Sequence, residues 1–235
     1  TMFFRDYLSE TCPGTLCLHE PKPSRMFKLF SNMILNGRIG SKLPAAIFAR
    51  TRRKYLTGNR QYIESNNFIF GCIPAIRQIA EEVRVLHVVR NPVTYAQSHM
   101  GHGFWKGHKK IFTLHVPWWI ERVDSYQKDP YKLLFLRWKY VNSVIEKSSI
   151  EIPYLLIRFE DLFKASGSEG SDVLNRVRSF MGCDPASVEM NTEWLKQPKN
   201  VSSRKKNDQE ILSRYGSYLR ENLSDSSKRY GYELK

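Results

Sequence analysis

Residues 83–100 read VRVLHVVRNPVTYAQSHM, and this stretch decides the fold. The apolar, largely β-branched run 85–89 is typical of a strand buried on both faces in a parallel sheet. Pro92 suits the first turn of a helix, where its missing N–H is not needed. Arg90 is therefore expected at the carboxyl end of a strand, where open α/β sheets bind ligands, with Ser98 two turns along the following helix. A guanidinium and a hydroxyl can hold a phosphate, although an arginine that pairs with a carboxylate or caps the sheet edge fits the same spacing.

The rest of the chain alternates between strand and helix patterns. This alternation predicts a parallel sheet with helices on both sides, in one domain that spans residues 1–235. Further strands are predicted at 16–18, 62–64 and 154–159. Helices are predicted at 1–10, from Ser24 to Gly37, from Pro44, at 73–82, 130–148 and 171–181, and after 208.

The composition is ordinary for a globular protein except in its charge. The formal net charge is +14, with 37 Lys and Arg against 23 Asp and Glu. Basic clusters occur at 50–54, 106–110 and 204–206, and we interpret the first as solvated surface. A field of this sign attracts polyanions, which include nucleic acid, acidic membrane, nucleotides with several phosphates and acidic glycans. No apolar run approaches the roughly 18 residues of a membrane span.

The four cysteines, Cys12, Cys17, Cys72 and Cys183, have no CxxC spacing and no histidine at metal-ligand spacing. A zinc site is therefore not expected. A reducing compartment is the simplest assumption for so few thiols.

Several motifs together resemble the sulfotransferase family, whose members transfer a sulfuryl group from 3′-phosphoadenosine 5′-phosphosulfate (PAPS). VVRNPVTYAQS at 88–98 is similar to the family's 3′-phosphate motif, which implies that Arg90 and Ser98 hold that phosphate. IPYLLIRFEDL at 152–162 resembles a family strand that ends near the adenine, with Phe159 at the aromatic position. FMG at 180–182 and KRYGYEL at 228–234 resemble later elements. SSRKK at 202–206 is similar to the basic loop that closes over the 3′-phosphate, which implies roles for Arg204 and Lys205.

The resemblance implies a three-layer α/β/α fold of the P-loop NTPase type. The family's 5′-phosphosulfate loop normally precedes the first helix, and Thr1 resembles the last threonine of that loop. We therefore expect the loop and the first strand to precede this chain. That strand lies in the middle of the family's sheet, so we also expect backbone groups that lack their strand partner.

Sulfuryl transfer needs a base for the acceptor's proton and positive charge for the leaving phosphate. LHEP at 18–21 resembles the place of the catalytic glutamate in the carbohydrate and protein-tyrosine branches, which makes Glu20 the candidate base. His19 and His102 are alternatives, and a structural pairing of Glu20 with Arg25 or a lysine also fits. Candidate acceptor ligands are Asn66 and Asn67, for which a turn role fits equally, and Trp105.

The expected function is transfer of the sulfuryl group of PAPS to a hydroxyl or amine of a carbohydrate, lipid or small molecule, without a metal. A cytoplasmic setting is the simplest expectation, with a Golgi-type lumen as the alternative if an upstream anchor exists. Two other functions remain open. One is a non-catalytic protein that binds nucleic acid or acts as a scaffold through its basic surface, and the other is a P-loop-type nucleotide kinase.

Overall fold

The computed structural model describes residues 2–57, 60–101, 129–163, 167–183 and 208–234. This part of the chain is mixed α/β, in agreement with the predicted class. The strands are β1 (Leu16–His19), β2 (Tyr62–Ser65), β3 (Val85–Val89) and β4 (Tyr154–Arg158). The helices are α1 (Met2–Thr11), α2 (Ser24–Leu35), α3 (Lys42–Arg52), α4 (Ile73–Ile76), α5 (Pro92–Gly101), α6 (Pro130–Ser148), α7 (Phe159–Phe163), α8 (Gly167–Met181) and α9 (Asp208–Arg229).

Every strand pairing among the described residues is parallel. β1 pairs with β2 from Leu16 opposite Tyr62, and β3 pairs with β4 from Val85 opposite Tyr154. The two pairs form separate two-stranded sheets, so the described residues show the predicted parallel pairing without one continuous sheet.

Helices cover both faces of the β3–β4 pair. On one face Leu86, Val88 and Ile157 pack in a cluster with α1 and α8, which also includes Cys17 of β1 and Ile63 of β2. On the other face Val89 and Leu156 pack with α5, α6 and α9. Alternate residues of a strand point to opposite faces, which explains this division. The first cluster draws residues from both strand pairs and therefore holds them in one core.

Local sequence signals predict some helix ends correctly and others incorrectly. Asp129 precedes α6 and accepts hydrogen bonds from the amides of Tyr131 and Lys132, so this helix begins at Pro130 as predicted. The prediction of a helix over 73–82 was wrong in length, because α4 ends at Ile76 and the chain continues in turns. There the amides of Gln78 and Ile79 bond three residues back, in the tighter turn geometry.

Two side-chain pairings differ from the sequence-based expectations. Arg52, in the basic cluster interpreted as solvated surface, has a fully buried side chain that pairs with Glu64. Cys12 and Cys183 form a disulfide across 171 residues of sequence, while Cys17 and Cys72 are free and buried. The expectation of reduced cysteines was therefore wrong for this pair. It joins the end of α1 to the end of α8, two helices that already pack in the same cluster.

No helix within the described ranges is both long enough and apolar enough to cross a membrane.

Candidate active site

The predicted site residues follow the carboxyl ends of all four strands. Glu20 comes directly after β1, Asn66 after β2, Arg90 after β3 and Phe159 after β4. Ligands of open parallel sheets bind at this end of the strands, because the loops that leave it diverge and the helices that follow point their N-termini there. The sequence prediction that placed Arg90 at the end of a strand is confirmed.

Two contacts orient the Arg90 side chain and a third fixes its backbone. Its Nε donates to Thr94 Oγ1 at 3.0 Å, its guanidinium carbon lies 4.7 Å from the centre of the Phe159 ring, and its backbone carbonyl accepts from Trp138 Nε1 at 2.7 Å. No hydrogen bond of its two terminal nitrogens is seen among the described residues. Burial lowers the pKa of Arg90 from its usual value, and Glu160, Tyr232 and Asp208 oppose that shift. The side chain remains a cation and has two donors available for an oxyanion.

Ser98 lies one helical turn beyond Thr94 on α5. Residues four apart share a helix face, so the Ser98 hydroxyl lies along the face that Arg90 already contacts through Thr94. Ser98 is partly exposed. The position of Ser98 therefore shares a face of α5 with Thr94, which contacts Arg90.

Glu160 fixes the turn that carries Arg90. Its Oε1 accepts from the Asn91 amide at 3.0 Å and from Thr94 Oγ1 at 3.2 Å, and its Oε2 accepts from the Tyr232 hydroxyl at 2.6 Å. Burial raises the pKa of Tyr232, with the Glu160 carboxylate adding to the shift, so the phenol stays protonated and keeps donating. A single carboxylate thus joins the β3–α5 turn, the β4 end and the C-terminal segment.

Glu20 occupies an unusual backbone conformation. Its φ is +43°, and it has the one positive φ among non-glycine residues of the described chain. Such a conformation costs free energy in a residue with a Cβ atom and persists only where the surroundings impose it, a pattern that clusters at functional sites. Burial raises the pKa of the Glu20 carboxyl, against opposing effects of His19, Lys28 and Arg25. A raised pKa suits a general base that works near neutral pH.

Arg52 imposes the conformation of the turn that follows Glu20. It donates from Nη1 to the Lys22 carbonyl at 2.7 Å and from Nη2 to the Pro21 carbonyl at 2.9 Å. It also forms two hydrogen bonds to the Glu64 carboxylate of β2, at 2.7 and 2.9 Å. One buried guanidinium therefore ties the turn after β1 to the neighbouring strand.

Lys28 and Arg137 are two further cations near the candidate residues. Lys28 of α2 is close enough to Glu20 and to Arg137 of α6 for both charges to change its pKa. Arg137 forms a hydrogen bond with Tyr95 of α5. Its neighbour in sequence, Trp138, contacts the Arg90 carbonyl. Trp138 thus links α6 to the turn after β3, and Lys28 of α2 lies within electrostatic range of Glu20 and of Arg137.

Other predicted side chains have internal partners. Asn66 donates to Glu64 at 2.6 Å and to Ser24 at 3.1 Å, and accepts from the Phe68 amide at 2.8 Å, which is the turn role that its sequence context also fitted. His19 Nδ1 lies 3.0 Å from the Ser65 carbonyl. Asn67 is exposed. The predicted residues outside the described ranges are Thr1, His102, Trp105, Arg204 and Lys205.

Sequence reasoning missed Arg52, Lys28, Arg137 and the Glu160–Tyr232 pair. Arg52 lies in a run of basic residues that has the pattern of a solvated surface, and Lys28 and Arg137 occur singly on amphipathic helices. The Glu160–Tyr232 pair had an available signal, because both residues lie in motifs that the resemblance had already identified.

Among the described residues, no group of three His, Cys, Asp or Glu side chains is placed to hold a metal ion. The candidate residues include a partly buried cation, Arg90, and a carboxylate with a positive φ, Glu20. Comparison of the chain with models of protein families, with curated proteins and with solved structures found no match.

Proposed function

We propose that this protein is a PAPS-dependent sulfotransferase, with the 3′-phosphate of the donor at Arg90 and the acceptor hydroxyl or amine at Glu20. The observation that carries the proposal is the joint placement of these two residues at the carboxyl ends of parallel strands. Arg90 offers two donors there, and Glu20 is held in a left-handed backbone conformation. The motif resemblance supplies the identity of the donor.

The fold proposed with this function is a three-layer α/β/α domain of the P-loop type. A single additional parallel strand between the β1–β2 and β3–β4 pairs would join them into one sheet, since both already contribute to one apolar cluster.

PAPS supplies an activated sulfuryl group whose leaving group is a nucleotide phosphate. Arg90 and Ser98 bind the 3′-phosphate and fix the position of the nucleotide, and Phe159 offers an aromatic face beside Arg90 for the adenine. Because the transition state of such a transfer is loose, fixed position and positive charge are the main contributions of the protein.

Glu20 takes the proton of the acceptor as the acceptor oxygen or nitrogen attacks sulfur. The new bond to sulfur forms while the bond between sulfur and the phosphate oxygen breaks, and the electron pair of that bond leaves with 3′,5′-ADP. The raised pKa of Glu20 increases its strength as a base. Arg52 keeps the turn in place during this step.

The direct test measures 3′,5′-ADP binding to the protein by calorimetry. Arg90→Ala is expected to weaken binding by about 1.5–3 kcal/mol, or roughly tenfold to a hundredfold, because a charge-assisted contact is lost. Arg77→Ala is the matched control, since Arg77 is a surface arginine paired with Glu151. Glu20→Gln should keep nucleotide binding and abolish turnover. A wild-type protein that binds 5′-AMP as tightly as 3′,5′-ADP would refute the donor assignment.

The net charge of +14 favours a second function, the binding of nucleic acid. Oligonucleotide binding with a steep salt dependence, unaffected by 3′,5′-ADP, would favour this alternative. Saturable competition by 3′,5′-ADP would favour the transferase.

The Cys12–Cys183 disulfide bears on the compartment. Disulfides persist in oxidising compartments and are uncommon in the cytosol. We therefore propose a lumenal setting in the secretory pathway rather than the cytoplasm.

A further inference from the structure

The chain reverses its direction directly after α9, and this turn points one tyrosine into the core. Gly231 has a φ of +74°, a left-handed conformation that glycine adopts without strain. The amide of Tyr232 donates to the Ser227 carbonyl at 2.8 Å, the bond that commonly closes a helix at its C-terminal end. Nη1 of Arg158 in β4 donates to the Gly231 carbonyl at 2.9 Å. Tyr232 is therefore fixed beside the β3–β4 pair, where it is 7% exposed.

The hydroxyl of Tyr232 reaches two acceptors near the turn between β3 and α5. It lies 2.6 Å from Oε2 of Glu160 and 3.1 Å from the Val89 carbonyl. A phenol has a single hydrogen, and the shorter contact to a charged acceptor is the stronger of the two. Among the described residues Tyr232 is the only donor to Oε2, whereas Oε1 accepts from the Asn91 amide and from Thr94. Tyr232 thus holds the carboxylate with Oε1 towards the β3–α5 turn.

The same carboxylate leads to Arg90 through one hydroxyl. Arg90 Nε can only donate, and it donates to Thr94 Oγ1 at 3.0 Å. The hydrogen of the Thr94 hydroxyl therefore remains for its own acceptors, Glu160 Oε1 at 3.2 Å and the Asn91 carbonyl at 3.1 Å. Glu160 thus contacts both the Asn91 amide and the oxygen that orients Arg90. These hydrogen bonds form a continuous path from Tyr232 to the guanidinium.

We infer that Tyr232 is a positioning residue of the donor site, and that it holds Arg90 in place for the 3′-phosphate through Glu160 and Thr94. The inference deepens the proposed function and rests on it for the identity of the anion that Arg90 binds. It assigns to the Tyr232 hydroxyl a share in the preference for a nucleotide with a 3′-phosphate. 5′-AMP lacks that phosphate, so the ratio of the affinities for 3′,5′-ADP and 5′-AMP is the specific readout.

A second tyrosine of the same turn provides a matched control. Tyr230 is 4% exposed and donates to the Glu146 carboxylate of α6 at 3.0 Å. Tyr230→Phe and Tyr232→Phe therefore each remove one hydrogen bond to a carboxylate and keep the aromatic ring. Only Tyr232→Phe breaks the path to Arg90, so a general loss of stability affects both variants, while a loss of positioning affects one.

The test measures the binding of 3′,5′-ADP and of 5′-AMP by calorimetry in the wild type and in both variants. The wild type should bind 3′,5′-ADP about tenfold or more tightly than 5′-AMP, because a charge-assisted contact separates the two ligands. Tyr232→Phe should reduce that ratio by about threefold to tenfold, as expected for one weakened hydrogen bond, and Tyr230→Phe should keep it within about twofold.

Thr94 variants test the path without a change in the turn after α9. Thr94→Val removes the hydroxyl and should reduce the ratio about tenfold, whereas Thr94→Ser retains the hydroxyl and should keep the ratio. The double variant Tyr232→Phe, Thr94→Val should be no worse than Thr94→Val, because both substitutions break one path. Reductions that multiply in the double variant would overturn the inference, which assigns the effect of Tyr232 to Thr94.

Hydrogen exchange of the Asn91 amide reports on the β3–α5 turn without any nucleotide. Exchange should be about tenfold faster in Tyr232→Phe than in the wild type and unchanged in Tyr230→Phe, because Glu160 is the acceptor of that amide. An unchanged exchange rate in Tyr232→Phe, or a wild-type nucleotide ratio in that variant, would overturn the inference and leave the donor assignment intact. Equal binding of the two nucleotides by the wild type would overturn the donor assignment, and the inference with it.

Discussion

The Arg52–Glu64 pair is the most direct place to test how the turn after β1 is held. The Arg52 side chain is fully buried and that of Glu64 is 5% exposed. Arg52 also lies over the rings of Phe27 and Phe48, at 5.4 and 5.3 Å. Glu64→Gln keeps the shape of the side chain but leaves a buried guanidinium without its counter-charge.

The uncompensated charge of Arg52 determines how much free energy of unfolding the Glu64→Gln variant should lose. Breaking a buried ion pair from one side costs about 3–5 kcal/mol, because the remaining cation keeps its desolvation penalty and loses its partner. The two carbonyls of Pro21 and Lys22 remain as acceptors, which places the expected loss towards the lower end of that range. For a protein of this size each kcal/mol lowers Tm by about 2–4 °C, so the midpoint should fall by about 6–12 °C or more.

The assay is urea unfolding followed by fluorescence, with thermal unfolding as a second measurement. Arg53→Met is the matched control, because Arg53 is the exposed neighbour of Arg52 and its replacement should change stability by less than about 0.5 kcal/mol. The double variant Arg52→Met, Glu64→Leu removes both charges and should recover part of the stability, because the Pro21 and Lys22 carbonyls and the donors of Tyr62 and Asn66 lose their partners.

Measurement of kcat separates the role of Arg52 in stability from its role in positioning the turn after Glu20. The double variant still lacks the donors to the Pro21 and Lys22 carbonyls, so its kcat should stay low while 3′,5′-ADP binding is normal. A loss of less than about 1 kcal/mol in Glu64→Gln would refute the reasoning about the buried charge. Full turnover in the double variant would refute the positioning role of Arg52.

Three further predictions follow from the contacts of the site and from the disulfide. The double substitution Cys12→Ser, Cys183→Ser should lower the free energy of unfolding by about 2–5 kcal/mol. Alkylation of the denatured, unreduced wild type, read by mass spectrometry, should label the thiols of Cys17 and Cys72 alone. Labelling of all four cysteines would contradict the disulfide. Glu160→Gln should weaken 3′,5′-ADP binding by about 1–3 kcal/mol, because Glu160 holds the turn that carries Arg90. Asp161→Asn, which loses a half-exposed ion pair with Arg158, should leave binding unchanged. Equal effects of the two substitutions would argue against the role of Glu160. Burial raises the pKa of Glu20, so the folded state favours the protonated carboxyl. The unfolding free energy of the wild type should therefore fall relative to that of Glu20→Gln as the pH rises through that pKa, and the two values should converge below about pH 4. Unfolding free energies that run parallel from pH 4 to 8 would contradict the burial effect.

The sequence by itself determined the local structure around the candidate site. The strand over 85–89, the helix that begins at Pro92 and the position of Arg90 between them depend on residues a few positions apart. α6 is a second such case, since Pro130 and the apolar spacing predict its start and its length. The spacing of apolar residues and the residues that favour turns act over a few positions, so both can be seen in a single sequence.

Only the tertiary structure decided which charges are buried and what they meet. Arg52 lies one helical turn after Phe48 on the buried face of α3, but that spacing does not reveal its partners, which are Glu64 in β2 and the ring of Phe27 in α2. The Cys12–Cys183 bond needs the C-terminal ends of α1 and α8 to meet, and spacing in sequence gives no sign of it. The same holds for Lys28 and Arg137, which come from two helices. The free energy of a buried charge or a long-range bond depends on partners that the fold brings together, so these features can be found only once the chain is folded.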